Sequence, residues 1–392
     1  MRYFKHFAAL AASILAVTAC IYPFDPVIEA TDGRLVVEGD IHIGTVSDFS
    51  FSRVYPIDTE DFTITPPMVE GYIEGEDGTR VESFPKPYDG FGYSTEYGSC
   101  SLRFDTSGLP AGQKYRLHFE DLESGTVYES DWIEVCPAPV IDELSYILDE
   151  DRGELNVALS MHCNGRSHFR WHYDEVWEYR ADAKATCYYD PQTDTVEDFE
   201  EDENIFYCWN RYNSPEIKIF STADHVDDRF VDLEFHRIQR SDKRLQVLYQ
   251  IKVYLEALNE DAYAYWLNIR ENSQNQGTIF SPTPSQMPGN IHCVSDPSVL
   301  VIGYINAAEQ TEADMYYDDY VERFYRGKNN FEYIEVDPSE FSLYYDRGYI
   351  PFNHFLDFER GHIYQWGTKR CLDCRESGGT KNKPSYWPND HT

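Results

Sequence analysis

From Leu35 onward, apolar positions recur with a period of two more often than with the period of a helix. "LVVEGDIHI" (35–43) is rich in β-branched residues. In "LPAGQKYRLHFED", Tyr115, Leu117 and Phe119 share one face, while Lys114, Arg116 and His118 share the other. Such alternation marks a half-buried strand. "MVEGYIEGEDGTRVESF" sets Asp77-Gly78 between two alternating runs, which predicts a hairpin with a type I′ turn. With "GTVYESDWIEV", these short strands and their turn signals predict a β-sandwich over residues 35–136, closed by the stiff Cys136-Pro137-Ala138-Pro139.

The same pattern resumes after that boundary. "VIDELSYIL", the turn "DEDRG" and "ELNVALSMH" predict a second hairpin, and "SHFRWHYDEVWEYRA" one or two further strands. In "RLQVLYQIKVYLEAL", Val247, Tyr249, Ile251, Val253 and Leu255 alternate with Gln246, Gln250, Lys252 and Glu256. "SVLVIGYINAA" is apolar enough for a central strand. Between them the period changes. Asn259 is a candidate N-cap, Glu260 and Asp261 fill a first turn, and Ala262, Trp266 and Ile269 share a helical face. Gly277 marks the stop. The expectation is a mainly β chain of two tandem, immunoglobulin- or fibronectin-like sandwiches. The second, 137–392, carries a helix near 259–275 and a loop-rich tail strapped by disulfides. No repeat of 20–50 residues is evident.

The first residues change the compartment. "MRYFKHFAALAASILAVTAC" has basic Arg2 and Lys5, then an apolar run from Phe7 to Val17. That run is shorter than the roughly 20 residues needed to cross a bilayer. Val17-Thr18-Ala19-Cys20 has the small residues before cysteine of a bacterial lipoprotein signal. Residues 1–20 are therefore expected to be removed as a signal, leaving Cys20 as the lipid attachment point, acylated by palmitate-type chains. Residues 21–34 form a tether. The mature chain is then held by acyl chains, at about 0.8 kcal/mol per buried CH₂, outside the reducing cytoplasm.

In that compartment cysteines act as staples. Besides Cys20 there are eight: Cys100, Cys136, Cys163, Cys187, Cys208, Cys293, Cys371 and Cys374. Cys187 and Cys208 flank an acidic run, so a bridge between them would close it. Cys371 and Cys374 are spaced C-x-x-C. Arg375-Glu376-Ser377-Gly378-Gly379 after them is a poor start for the helix of a redox motif, and a zinc ribbon would need a second such pair. Structural sulfur remains: a tight Cys371–Cys374 bridge, or two bridges to distant partners. Tyr386 and Trp387 could dock the tail.

Charge narrows the partners. With 69 acidic and 33 basic residues the net charge is −36, which argues against nucleic acid and against direct contact with an anionic membrane. The 31 Tyr, 23 Phe and 7 Trp suit stacking on sugars or peptides. "DPQTDTVEDFEEDEN" (190–204) holds eight carboxylates but lacks the spacing of a calcium loop; a flexible acidic loop is the preferred expectation. His162, Cys163, His168 and His172 lie close in sequence, but Asn164-Gly165 breaks their register and an oxidised Cys163 could not be a thiolate ligand, so structural residues are preferred to a zinc site. No catalytic motif is present, which leaves an enzyme disfavoured and no metal or cofactor expected. A glycosidase carboxylate pair could still hide among so many acids.

The chain resembles a Bacteroidota family of outer-membrane lipoproteins, the domain-of-unknown-function family 4249. The likeness rests on the lipobox and Pro23-Phe24, "LVVEG" (35–39), "AYAYW" (262–266), "GTIFSPTPSQMPGNI" (277–291), "VIGYINA" (301–307) and "CLDCRESGGTKNKPSYW" (371–387). The resemblance implies a β-rich lipoprotein encoded beside a TonB-dependent transporter, with no catalytic residues to carry over. The expected role is a non-catalytic binding or accessory subunit of such an uptake system. The alternatives are a secreted hydrolase acting on glycan or peptide, and an adhesive module. The cell-surface face of the outer membrane is expected over the periplasmic one. However, Ile21-Tyr22-Pro23-Phe24, followed only by Asp25, replaces the acidic cluster common in surface-exported relatives.

Overall fold

The computed structural model describes residues 33–54, 66–85, 100–163, 167–200, 205–214, 218–222, 229–274 and 289–388. The signal, Cys20, most of the tether, Gly277 and the end of the acidic run lie outside the described residues. Twenty-four strands, numbered in chain order, make up most of the rest.

Two sheets enclose a first core. One joins β1 (Leu35–Gly39), β3 (Val46–Arg53), β7 (Cys100–Asp105) and β6 (Phe84–Pro85). The other joins β20 (Ile291–Cys293), β9 (Thr126–Ser130), β8 (Lys114–Asp121), β4 (Val69–Gly75) and β5 (Arg80–Glu82), with β10 (Ile133–Glu134) also on β8. The alternation on β8 is realised: Tyr115, Leu117 and Phe119 are fully buried. Arg116 on the opposite face bonds Glu74 and Glu129. Phe51 and Phe119 meet across the sheets at 5.0 Å. The hairpin at Asp77-Gly78 forms, but not with a type I′ turn. Only Gly78 has positive φ, +85°, while the Asp77 carboxylate accepts from Thr79 N at 2.9 Å, so the side chain shapes the turn.

A second core lies between two further sheets. One is β11 (Val140–Asp149), β12 (Glu154–His162) and β18 (Arg229–Gln239). The other runs β16 (Tyr207–Asn213), β13 (His168–Arg180), β19 (Leu248–Leu258), β21 (Ala307–Asp318) and β2 (Ile41–Ile43), with β17 (Lys218–Ser221) also on β13. Tyr249, Ile251, Val253 and Leu255 of β19 face Leu155, Val157, Leu159 and Met161 of β12 in a single cluster. The helix α1 (Glu260–Gln274) begins where expected: Asn259 Oδ1 accepts from Ala262 N at 2.8 Å.

The chain crosses the expected boundary at Cys136 in both directions. β2, from the first part, pairs in parallel with β21. β20, from the second part, pairs with β9. "SVLVIGYIN" is not a central strand. It runs along the edge of β1, where Val37 N donates to Ile302 O at 2.8 Å and Ile302 N to Leu35 O at 2.9 Å. Gly303 permits the approach: its φ is +139°, and a Cβ there would sit 2.2 Å from Val37 O. A non-glycine residue could adopt neither.

The tail is not loop-rich. β22 (Tyr333–Glu335), β24 (Gly361–Thr368) and β23 (Tyr349–Asp357) form a small sheet. The first half of the acidic run is a hairpin, β14 (Cys187–Asp190) and β15 (Thr195–Asp198), rather than a flexible loop. Tyr189 of that hairpin packs with Phe341 and the fully buried Trp366, so an apolar face on the hairpin outweighs its charge. Among the described residues one disulfide is formed, Cys208–Cys374, with Cα atoms 5.6 Å apart.

Candidate functional site

Arg170 on β13 stands directly opposite Glu256 on β19. The Arg170 Nε donates to Glu256 Oε1 at 2.6 Å, and its far nitrogen bonds Asp40. His42 Nε2 lies 2.8 Å from Glu256 Oε2, and Asn306 N donates to Asp40 Oδ1 at 2.6 Å. Asp40 and Glu256 are each 2% exposed. Their burial must therefore be offset by neighbouring charge. Four side chains from three segments meet here, at the junction between the two sheet pairs.

The two carboxylates respond differently. Burial works against the Glu256 anion, yet Arg170 and His42 outweigh it and hold its pKa down at about 2. For Asp40 burial prevails over Arg170, and the pKa is raised. The difference lies in the partners: Glu256 has the close hydrogen bond to His42 as well as Arg170. Burial also disfavours His42 cation, but its hydrogen bond to Glu256 and the nearby carboxylate charges raise its pKa. His172, one step along β13, lacks such a bond, and burial lowers its pKa to about 4.

Beside this hub opens a cleft of about 450 Å³. Its walls come from β1, the 302–304 segment, β13 and α1. Val36, Ile302, Tyr265, Trp266, Ile269 and Tyr304 give it apolar and aromatic surface, with Arg170 and His172 at its polar side. Trp266 covers the Arg170 guanidinium at 4.6 Å, and Tyr265 lies 5.2 Å from Tyr304. Concave, mostly apolar surface with a few fixed polar groups is the usual form of a small-ligand site. Two wider depressions are less convergent. One of about 650 Å³ centres on Glu175, whose carboxylate is already filled by His236, Arg244 and Tyr249. Another of about 470 Å³ lies under the tail, between Tyr189, Tyr345 and Lys369.

The hub's chemistry is that of a clamp. Asp40, His42 and Glu256 are the one three-ligand convergence among the described residues. Arg170 already occupies the place of a cation between the carboxylates, so a metal would have to displace it. The same contact closes the carboxylates to acid–base work, which needs one of them open to substrate or water.

The sequence candidates are otherwise dispersed. His162 bonds Asp142 at 2.8 Å; His168 and His172 stack on Tyr263 and Tyr254, so the three histidines do not converge. Of the expected bridges, Cys187–Cys208 and the tight Cys371–Cys374 are not formed, while the alternative of a distant partner is realised for Cys374 through Cys208. Cys187 sits in the acidic hairpin opposite Asp198, away from Cys208 on β16. Cys374 is drawn to β16 by its N–H to Ile205 O, 3.0 Å, and by Tyr179 Oη donating to its carbonyl, 2.9 Å. The Cys371 thiol turns toward Asn330 O. Cys100, Cys136, Cys187 and Cys293 are thiols, and Cys163 packs beside the second core. Burial pushes Cys136 up to about 11 and Cys187 to about 12, which leaves them poor nucleophiles. Trp387 docks the tail as expected, buried with its Nε1 donating to Glu178 at 3.0 Å, whereas Tyr386 stays exposed. Asp40, Arg170 and Glu256 belong to no sequence motif; the nearest local signal is Glu256 within the apolar alternation of β19.

The sequence model of one family, described as "Domain of unknown function (DUF4249)", matches residues 21–314. No curated protein matches the chain. Among solved structures, a DUF4785 family protein from Legionella pneumophila is similar at 7% identity over 58% of this chain and 53% of that one, with a TM-score of 0.20. The chain thus spans about half the length of that protein, and a likeness this weak carries no argument.

Proposed function

The chain belongs to the DUF4249 family, and on that premise we propose that it is an outer-membrane lipoprotein anchored through Cys20. Its role is that of a non-catalytic binding or accessory subunit of a TonB-dependent uptake system. The observation that carries the anchoring is Val17-Thr18-Ala19-Cys20 closing a short apolar run. No helix among the described residues is long and apolar enough to cross a membrane, so the acyl chains would supply the hold. The binding role is supported by the aromatic cleft beside the hub. Tyr265 and Tyr304 offer faces on which a flat apolar surface, such as a sugar ring or an aromatic side chain, can stack. The hub's carboxylates are spent on Arg170, which favours holding a ligand over cleaving it.

The test is purification of the natively processed protein from outer membranes in mild detergent, with partners identified by mass spectrometry. A co-purifying β-barrel transporter is expected, lost from a Cys20→Ser variant that is no longer acylated. Recovery of the acylated chain with no barrel partner overturns the accessory role.

A further inference from the structure

The small C-terminal sheet carries two histidines whose ring nitrogens meet. β23 and β24 pair so that His354 faces Tyr364 and Leu356 faces His362, which sets the two histidines on a diagonal of one face. Their rings are stacked, with centroids 5.2 Å apart and an interplanar angle of 26°. His354 Nδ1 lies 2.9 Å from His362 Nε2. On its other side, His354 Nε2 lies 2.8 Å from Asp198 Oδ1. Asp198 arrives from the acidic run, carried on β15 of the hairpin that packs against β23.

An ionised carboxylate can only accept, so a neutral His354 ring carries its proton on Nε2, facing Asp198, and its Nδ1 lone pair faces His362. A carboxylate behind a histidine, orienting the ring and raising its basicity, is the usual outer-shell arrangement of a metal ligand. His362 is exposed, and its ring can move its proton to Nδ1, turning a second lone pair toward the same point at no cost in charge. Two imidazole nitrogens at 2.0–2.1 Å from a tetrahedral ion stand about 3.3 Å apart, so the present spacing needs to open by only about 0.4 Å.

We propose that His354 and His362, with Asp198 as the orienting carboxylate, form a surface site for an imidazole-seeking divalent transition metal, with Cu²⁺ preferred over Zn²⁺ by the general order of affinities. Two protein ligands leave coordination positions open to water or to a donor on another molecule. The site is thus built for exchangeable capture rather than for holding the fold. It depends on neither the acyl anchor nor the uptake role.

The test uses the full mature chain without a histidine tag, its accessible thiols blocked with iodoacetamide, titrated with Cu²⁺ and then Zn²⁺. One equivalent of Cu²⁺ is expected, with an EPR spectrum showing coupling to two imidazole nitrogens. His354→Gln and His362→Gln should each weaken binding tenfold or more. Asp198→Asn should weaken it 10–100-fold while keeping both nitrogens. Thermal melts of the metal-free variants check folding, and the wild-type spectrum stands without them. Absence of nitrogen-coupled Cu²⁺ in the wild type, or unchanged affinity in the histidine variants, overturns the site. Unchanged affinity in Asp198→Asn overturns the orienting role.

Discussion

Replacing Arg170 by Met tests whether the hub is a clamp. The substitution keeps the length of the aliphatic stem and removes the charge that faces Asp40 and Glu256. Two measures agree on size. The pKa of Glu256 stands at about 2 against an ordinary 4.5, a difference worth about 3 kcal/mol for the charged form. Leaving a buried charge without its partner costs about 3–5 kcal/mol. The loss should depend on pH in a definite direction. In the wild type Glu256 has a depressed pKa, so its contribution is present above about 4.5 and fades as pH falls toward 2. In Arg170→Met chiefly His42 and the backbone N–H of Asn306 still oppose burial, so both carboxylates shift upward, Asp40 further above its unfolded value. The variant therefore gains stability as pH falls through those raised values. Urea unfolding followed by tryptophan fluorescence should show a loss of about 3–5 kcal/mol at pH 8 and clearly less at pH 5. A loss below about 1 kcal/mol at pH 8, or the same loss at both pH values, refutes the clamp.

Three further outcomes are expected. Cys208→Ser removes a bridge spanning 166 residues. The chain-entropy estimate for that loop is about 5 kcal/mol, and a measured loss of about 2–5 kcal/mol in urea unfolding without reductant is expected; a midpoint equal to that of the oxidised wild type would contradict it. His172, with its pKa lowered from 6.5 to about 4, binds fewer protons folded than unfolded across that window, so stability falls on acidification between those values. His172→Gln should lose less by up to about 3 kcal/mol over the same range; parallel pH profiles would be inconsistent with its burial. Gly303→Ala forces a Cβ against Val37 O at positive φ and should cost more than about 1 kcal/mol, read as a lower thermal midpoint, with a neutral outcome ruling out the close approach.

Much of the fold was legible where one face is buried and the other wet. Tyr115, Leu117 and Phe119 declared β8 in this way, and Tyr249 to Leu255 declared β19. Asn259 declared its helix through a local cap. The pattern misled where burial and hydrogen bonding part company. In the 299–306 segment Val301 and Ile305 pack against the first core, yet the segment makes only scattered bonds to β1. β21, "AAEQTEADMYYD", buries just Ala307, Ala308, Met315 and Tyr317, and its acids hid it. The acidic hairpin was masked in the same way, its apolar side being Cys187, Tyr189 and Val196. The hub was illegible for a different reason. Asp40, Arg170 and Glu256 are distant in sequence, and only the register of β13 on β19 and the crossing of β2 bring them together. Choosing Cys208 as the partner of Cys374 required the same long-range information.

Acylation at Cys20 underlies the proposed role, because the compartment and the partner class both follow from it. Intact-mass and amino-terminal peptide analysis of the protein extracted from membranes tests it most directly. A mature chain beginning at Cys20, with diacylglyceryl on the sulfur and a fatty acyl group on the amine, is the predicted result. A chain retaining residues before Cys20, or beginning there with an unmodified thiol and free amine, contradicts it.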